Sequence, residues 1–234
     1  MVDPSLFMNH VIFQEGFSEP RIHRFRCAKN IRNEQEAQIL YQTNLRLSIH
    51  LFAIMSIFEV VLRNAIDRHY LGKFGKDWLK EQAGSEGFFE KKGCEKSRIN
   101  LLGAVEKLGE KASNDQIVAF MTFGFWRNLF NSKEFAAGGN TLDQIFLNHP
   151  KGLSHNDVFA KLTYLNFARN RIAHHEPICF EHSRSPIPSP NYIKGIYTTI
   201  LEMCFWLGYT RIIFLENANF LEDEIKKFEL LLKS

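Results

Sequence analysis

The segment Arg169-Asn170-Arg171-Ile172-Ala173-His174-His175-Glu176-Pro177 is the most informative part of this 234-residue sequence. It places two arginines, an asparagine and two histidines at the end of a predicted helix. That helix should begin at Ser154-His155-Asn156-Asp157, where an acid follows a serine by three residues, as in a capping box. Pro177 cannot continue a helix and favours extended geometry at the residue before it, so the helix should end near His175.

Apolar residues in this predicted helix recur mostly at steps of three and four, which is the spacing of a buried helical stripe. They are Val158, Phe159, Leu162, Leu165, Ala168, Ile172 and Ala173. The polar cluster from Arg169 to His175 is therefore expected in the last two turns of a core helix, with the rest of the chain arranged as helices around it.

The rest of the chain has helical rather than strand-like patterning, and it contains no repeats. The longest predicted helix, from Asn33 to about Tyr70, is apolar on most sides and should be central. Further helices are expected over about 18–29, 91–111, 113–130, 191–216 and 220–233. Residues 131–153 are predicted to be a connection with one helical turn around Leu142 to Phe146. The sequence thus predicts an all-α fold of six or seven helices, in a single domain over residues 18–234 after an N-terminal arm of residues 1–17.

The overall composition is that of an ordered, water-soluble protein. Hydrophobic residues make up 45% of the chain and charged residues 24%, which is ordinary for a globular domain. The formal net charge of +3 permits an anionic partner, although a dedicated duplex-binding protein is usually more basic. Composition alone therefore leaves nucleic-acid binding open.

Three features indicate a cytoplasmic protein. Cys27, Cys94, Cys179 and Cys204 are widely separated and form no C-x-x-C pair, so we expect four free thiols in a reducing compartment. The first residues lack a basic segment followed by an apolar core, so no signal peptide is expected. The apolar run from Leu45 to Ile66 is interrupted by charged residues, which predicts a buried helix rather than a membrane span.

Two charged residues lie inside this apolar helix and require an explanation. Glu59 precedes Arg63 by one helical turn, the favourable order for an ion pair, and Asn64 follows directly. A charged side chain in so apolar a segment must either form an ion pair or contribute to a functional site. Two interpretations stay open: an internal ion pair that fixes the register of the helix, and support for a site around Arg169.

A basic cluster opens another predicted helix. Lys91, Lys92, Lys96 and Arg98 lie in or before its first turns, where positive charge opposes the helix dipole. This placement indicates a surface that faces an anion such as RNA, although a solvated helix face is the ordinary interpretation.

The residue types in the final turns of the motif helix suit phosphate chemistry. Histidine exchanges protons near neutral pH, and the arginine guanidinium matches the oxygens of a phosphate. Together they can catalyse attack of an RNA 2′-hydroxyl on the neighbouring phosphate, a reaction that needs no metal. The spacing leaves open which pair acts. Arg171 and His175 are one turn apart, whereas Arg169 and His174 are separated by roughly 140° around an ideal helix.

Four ordered segments resemble one family. Arg169 to His175 resembles the R-N-x-x-x-H signature of HEPN domains and, more closely, the R-N-x-x-A-H-H helix of Abi-like (AbiD/AbiF-type) abortive-infection proteins. Phe58–Ile66 resembles the E-x-x-L-R-N segment of that family, and Met121–Leu129 resembles its T-F-G-x-W/L-x-x-L segment. Ser18–Ile22 fits as well. The resemblance covers roughly residues 18 to 180 and implies a HEPN-like helical bundle.

The resemblance also implies an activity and a set of partners. It implies an endoribonuclease that cleaves RNA without a metal or other cofactor, leaves a 2′,3′-cyclic phosphate and acts as a toxin in phage defence. The family further implies a homodimer with a composite active site and a restraining partner, either protein or RNA, with no role for a membrane.

The roles of individual residues follow from the same resemblance. Arg169 would bind phosphate, His174 would be the acid and base, and Asn170 would orient the helix or the substrate. Supporting positions are His175, Arg171, Glu59, Arg63 and Asn64.

Other interpretations of the cluster remain. Some HEPN domains bind RNA or nucleotides without cleaving them, so a non-catalytic binding dimer is the main alternative. A helical interaction protein without any RNA role is a second. A metal site could use His149, His155, His174, His175 and His182, but no H-E-x-x-H or Cys/His spacing supports it. Finally, the cluster can be a capped helix end whose histidine bonds a neighbouring carbonyl.

Overall fold

The structure is a computed structural model of the chain and describes residues 16–181 and 185–233. Residues 1–15 of the predicted N-terminal arm lie outside the described residues. The described chain folds into α-helices and short 3-10 turns without a β-strand, and an isolated antiparallel bridge joins Phe180 to Pro188. The predicted all-α class is confirmed.

The helices are numbered here in chain order. They are α1 (Glu19–Arg26), α2 (Glu34–Phe74), α3 (Trp78–Ala83), α4 (Glu95–Leu108), α5 (Asn114–Phe120), α6 (Phe123–Asn128), α7 (Ser132–Ala137), α8 (His155–Ala173), α9 (Asn191–Trp206) and α10 (Leu215–Leu231). Three 3-10 turns cover Phe88–Glu90, Leu142–Ile145 and Arg211–Ile213.

The described residues form ten helices rather than six or seven. The difference arises because α3 and α7 are short helices that the sequence did not predict, and because one predicted helix is divided in two. The predicted helix over 113–130 is two helices. Met121 and Thr122 adopt extended geometry, and the Thr122 carbonyl then accepts the Phe125 N–H at 3.0 Å to begin α6. Helix α7 lies in the expected connection. It has only six residues and two glycines follow it directly, so the sequence did not indicate a helix there. The turn expected around Leu142 is present.

Helix α8, which carries the motif, agrees closely with its prediction. Asp157 and Ser154 form the expected capping box: the Ser154 N–H and hydroxyl donate to the Asp157 carboxylate at 2.9 and 2.6 Å, and the Asp157 N–H donates to Ser154 Oγ at 3.2 Å. Most of the predicted apolar stripe is buried. The buried members are Val158, Leu162, Leu165, Ala168 and Ile172, whereas Phe159 is half-buried and Ala173 is exposed.

The chain divides into two compact units, each assembled from separate segments. The first contains the residues up to Ile54, Asn170–Tyr197 and the residues from Phe214 onward. The second contains Met55–Arg169 and Thr198–Ile213. The single domain expected over residues 18–234 stays a prediction.

Each unit has an aromatic core. In the first unit, Phe25 packs against Tyr41 and Phe180 with ring centroids 5.1 and 5.3 Å apart. In the second, Tyr70 and Trp78 are 4.8 Å apart, and the Trp78 indole N–H donates to Asp67 at 2.7 Å. Such pairs add to the hydrophobic stabilisation of a core.

The four cysteines are free thiols, as predicted. Cys94, Cys179 and Cys204 are buried and Cys27 is exposed. Burial raises the pKa of the Cys94 thiol to about 11 and that of Cys204 to about 12, so both stay protonated at neutral pH.

Helix α2 is long and apolar enough, by length and composition, to cross a membrane, and 39% of its most apolar stretch is buried inside the protein. A core helix meets the same criteria. The buried positions lie on one face of the helix: Leu47, Leu51, Ile54, Phe58, Leu62 and Ile66. The cytoplasmic location stays a prediction.

Candidate functional site

The motif residues belong to different units. Arg169 is in the second unit, whereas Asn170 and the residues through Pro177 are in the first. Arg169 is half-buried, and its guanidinium Nε is buried without a hydrogen-bond partner among the described residues. The half-buried guanidinium is a fixed positive charge, which can attract an anion.

Glu59 lies near Arg169 in the second unit. Burial raises the pKa of the Glu59 carboxyl, while the positive charges of Arg169 and Arg63 and the backbone amide of Phe123 oppose the rise. Arg169 has the stronger effect of the two arginines. The structure therefore brings together residues from three of the segments that carry the family resemblance, at Glu59, Phe123 and Arg169.

The expected ion pair between Glu59 and Arg63 is not formed as a direct contact in the described part of the chain. Arg63 instead donates from Nη1 to the Ala119 carbonyl at 3.4 Å, at the end of α5. Of the two interpretations of these charges, the ion pair is therefore absent as a direct contact between these two residues, and support of a site around Arg169 stays a prediction. The side chain of Asn64 is exposed.

A glycine within so apolar a segment as the predicted helix over 113–130 indicates close approach of the backbone or a kink, and Gly124 is that glycine. A methyl group at Gly124 would lie 3.8 Å from Thr122 Oγ1 and 3.9 Å from Asn166 Oδ1, which are ordinary contacts. Close approach of the backbone is therefore not what requires glycine here. The kink that the sequence indicated lies before it, at Met121 and Thr122.

In the first unit, Arg171 is enclosed by its surroundings. It is 7% exposed, donates from Nη2 to the Pro177 carbonyl, and lies 3.3 Å from a Glu176 carboxylate oxygen. Its guanidinium also lies over the Tyr192 ring, 5.2 Å from the centroid. Arg171 therefore holds the segment that follows α8, and its Nε, like that of Arg169, is buried without a hydrogen-bond partner among the described residues.

His175 has a structural role at the end of the helix. The Glu176 N–H donates to the Arg171 carbonyl at 2.8 Å, and the His175 N–H donates to the Ile172 carbonyl at 3.0 Å. These two bonds form a Schellman motif, whose left-handed position is usually glycine. His175 occupies it with φ of 57°.

The side chains of Asn170 and His174 are exposed on the last turn of α8. The His174 N–H donates to the Asn170 carbonyl at 2.9 Å, which continues the helix to this point. Among the described residues, no side chain bonds to the His174 imidazole. This imidazole is accessible to a substrate or to another chain.

Sequence reasoning missed a residue that positions the chain after the motif. Asn44, buried in α2, accepts the Ile178 N–H at 2.8 Å and the Cys179 N–H at 3.2 Å through its side-chain oxygen. The sequence carried no clear signal for this role, because Asn44 follows Gln42 and Thr43 and only its burial requires hydrogen-bond partners for the amide.

An apolar groove of about 240 Å³ borders the end of α8 in the first unit. It is lined by Leu45, Ser48, Ile49, Phe52, Ile172, Ala173 and His175. Ile49 is 65% exposed, and Phe52, which lines the same groove, is 37% exposed. The groove is a surface that another apolar side chain can cover.

The predicted RNA-binding cluster is only partly available. Arg98 donates to the Ala83 carbonyl at 2.9 Å and pairs with Glu90 at 2.5 Å, and Lys91 donates to the Ala137 carbonyl at 3.3 Å. Lys92 and Lys96 are exposed. Arg98 therefore stabilises contacts within the second unit. Any binding of RNA by this cluster depends on the exposed Lys92 and Lys96.

The candidate metal ligands are not assembled among the described residues, where no three His, Cys, Asp or Glu side chains are placed to hold an ion. His155 stacks on Phe135, with ring centroids 4.3 Å apart, and lies 3.3 Å from Ser132 Oγ. His149 Nδ1 is 2.9 Å from the Pro150 carbonyl. His182 lies outside the described residues.

No protein-family model, no curated protein and no solved structure matches this chain. The resemblance to Abi-like HEPN proteins therefore stays a prediction carried by the residues themselves.

We expect the Glu59→Gln variant to be more stable than the wild type at neutral pH. Because burial raises the folded-state pKa of this carboxyl above the unfolded value of 4.5, its ionisation opposes folding as the pH rises through that range. Glutamine carries no charge to desolvate. The carboxyl is partly screened by solvent, so the gain in Tm should be small, about 2 °C, and should vanish near about pH 4.

Thermal melting between about pH 4 and pH 8 measures this gain. Glu86→Gln, at an exposed carboxyl, is the matched control and should leave the pH dependence unchanged. A Glu59→Gln variant that is less stable than the wild type throughout this range would contradict the prediction, and would show that the two arginines stabilise the charge more than burial penalises it.

Proposed function

We propose that this protein is a metal-independent endoribonuclease of the HEPN type, most similar to Abi-like abortive-infection proteins. The observation that carries the proposal is the state of Arg169, whose partly buried guanidinium has an unused Nε and lies near the Glu59 carboxyl. His174 follows Arg169 by five residues at the end of the same helix, and its side chain is exposed. A fixed cation and an accessible imidazole are the two groups that the reaction needs.

In the proposed reaction, the 2′-oxygen of a ribose attacks the adjacent phosphorus and the bond to the 5′-oxygen breaks. His174 exchanges the protons, since one leaves the 2′-hydroxyl and one reaches the departing 5′-oxygen. Arg169 stabilises the additional negative charge on the phosphate oxygens. The products are a 2′,3′-cyclic phosphate and a 5′-hydroxyl. Asn170 is the proposed orienting group.

The remaining motif residues support these groups. Glu59 and Arg63 set the position and charge environment of Arg169 in the second unit. Arg171 and His175 hold the end of α8 in the first unit through the contacts described above. These roles agree with the geometry of each unit taken separately.

RNA cleavage in the presence of a chelator tests the proposal. The purified wild-type chain is incubated with a mixed RNA pool in EDTA, and the product ends are mapped. Cyclic-phosphate and 5′-hydroxyl ends support the proposal. Intact RNA, or cleavage that leaves 5′-phosphate ends, would refute it.

We also propose that the protein acts as a homodimer whose two motif helices form a composite site. The support is the apolar groove beside α8, with Ile49 largely exposed, and the absence of any described side chain that orients the His174 imidazole. A second copy can both cover the groove and supply the missing contact.

An Ile49→Asp substitution should therefore shift the protein from dimer to monomer. A charge in the centre of an apolar interface is desolvated without a partner, which costs several kcal/mol. The matched control is Ile99→Asp, because Ile99 is 69% exposed on another helix and Ile49 is 65% exposed. Light scattering after size exclusion measures both masses. An Ile49→Asp variant with wild-type mass would exclude this face as the dimer interface.

The alternative function is a dimer that binds RNA or nucleotides without cleaving them. Among the described residues, no side chain forms a hydrogen bond that orients the His174 imidazole. This favours the alternative, since a general acid or base is normally oriented by a hydrogen bond to another group. RNA binding without cleavage, both in EDTA and with added divalent ions, would establish this alternative.

The biological setting rests on the family resemblance alone. It indicates a toxin that acts in the cytoplasm during phage infection and is restrained by a partner protein or RNA. The contacts of the described residues support the chemistry of the site and do not bear on this setting.

A further inference from the structure

A cavity in the first unit lies away from the motif residues and has a volume of about 600 Å³. Its walls come from the turn between α1 and α2, the first two turns of α2, Pro188, and the end of α10. This volume lies within the range of about 300–1,000 Å³ that is usual for small-molecule sites.

The rim of this cavity is positively charged. Lys29, Arg32 and Lys233 line it and are exposed, and no described carboxylate forms an ion pair with Lys29 or Arg32. The one acid in the lining, Glu36, is already engaged: it accepts the Arg32 backbone N–H at 2.7 Å and the Asn33 side-chain amide at 3.3 Å. The cavity therefore offers cations to an anionic group.

The apolar part of the lining is entirely aliphatic. It consists of Ile31, Leu40, Pro188, Leu231 and Leu232. Nucleobases are usually held by stacking on aromatic rings, and this lining contains none. An alkyl chain makes only non-directional contacts and matches such a surface.

We propose that this cavity binds the monomer of a fatty-acid-type ligand, an alkyl chain with one carboxylate. The carboxylate lies between Lys29 and Arg32, where both cations can donate to it. The chain covers Leu40 and the two leucines at the end of α10. This assignment is independent of the proposed RNA cleavage.

The ligand also contacts the loop that includes Pro188, which backbone hydrogen bonds join to other parts of the first unit. The Lys29 N–H donates to the Pro186 carbonyl at 3.0 Å, and the Glu181 N–H donates to the Ile187 carbonyl at 3.0 Å. Pro188, in the same loop, lines the cavity. Occupation of the cavity therefore raises the Tm of the chain by mass action.

Titration of the full chain with dodecanoate, below its critical micelle concentration, tests the proposal by calorimetry and thermal shift. We expect saturable binding of one dodecanoate per chain. In the double variant Lys29→Gln/Arg32→Gln, affinity should fall at least about tenfold, the equivalent of about 1.4 kcal/mol. The matched control Lys107→Gln/Lys151→Gln removes the same charge from exposed lysines outside the cavity lining and should retain the wild-type affinity.

Four outcomes would overturn the assignment. They are absence of dodecanoate binding to the wild type, an equal loss of affinity in the two double variants, equal affinity for a nucleoside monophosphate, and sedimentation with anionic phospholipid vesicles without binding of free dodecanoate. The Leu40→Gln variant provides a further measurement, because it should weaken dodecanoate more than octanoate if the chain covers this position. All these readouts are separate from RNA cleavage.

Discussion

Replacing His174 by alanine should lower the rate of RNA cleavage by about 10²–10⁴-fold, the usual contribution of a general acid or base. The fold should not change, because the His174 side chain is exposed and its backbone bond to the Asn170 carbonyl does not involve the imidazole. Initial rates in EDTA, together with the Tm of each protein, measure both effects.

His175 is the decisive comparison, because the adjacent histidine has the same chemistry. Its φ of 57° places it at the glycine position of a Schellman motif, so His175→Gly removes the imidazole while keeping the helix end intact. We expect this variant to cleave RNA within a few-fold of the wild type. His149→Ala is a second control, because the His149 ring bonds the neighbouring Pro150 carbonyl and no other group among the described residues.

The opposite pattern would reassign the acid and base. If His175→Gly abolishes cleavage and His174→Ala does not, the two histidines exchange roles. If both variants cleave as the wild type does, the ribonuclease assignment for this helix is refuted. RNA binding measured on the same samples separates loss of chemistry from loss of affinity.

The two arginines should respond to substitution in opposite ways. Arg169→Gln should reduce cleavage by about 10²–10³-fold, as expected when a donor to the developing phosphate charge is lost, with little change in stability. Arg171→Gln should instead destabilise the fold by about 3 kcal/mol, because it removes a buried charge from its hydrogen bond, its ion pair and its aromatic contact.

For a chain of this length, that loss corresponds to a fall in Tm of about 6–12 °C. Thermal melting and cleavage rates at a temperature where both variants are folded distinguish the two cases. An Arg171→Gln variant with wild-type stability and no activity would identify Arg171 as the phosphate-binding residue. Loss of both properties in both variants would leave Arg169 with a structural role only.

Local signals in the sequence predicted the helical elements well. The start of α8 at the Ser154 capping box, its end near His175 and most of its buried stripe all follow from hydrogen-bonding and periodicity rules that act over a few residues. The all-α class follows in the same way, since no segment alternates with a period of two. Local rules indicated a kink at Gly124 and did not place the break at Met121 and Thr122, because both flanking helices are equally apolar.

Local rules did not predict the roles of the individual residues in the candidate site. The sequence indicated a cluster of two arginines and two histidines, but it did not distinguish Arg169 from Arg171 or His174 from His175. The structure shows different surroundings for the two arginines and a left-handed backbone at His175, while the catalytic roles of all four residues stay predictions. The Arg171 side chain contacts Tyr192 and Pro177. Glu59 lies near Arg169. His175 has a left-handed backbone at the end of the helix.

The sequence by itself thus predicted the longer helices, the free thiols and the residue types of the candidate site. Tertiary structure alone decided what surrounds each of those residues, because the surroundings depend on partners far away in the chain. Asn44 bonds the backbone of Ile178 and Cys179, more than 130 residues later. Likewise, the aliphatic cavity combines the turn before α2 with the end of α10. Periodicity describes which face of a helix is buried, whereas only the folded chain determines what lies against that face.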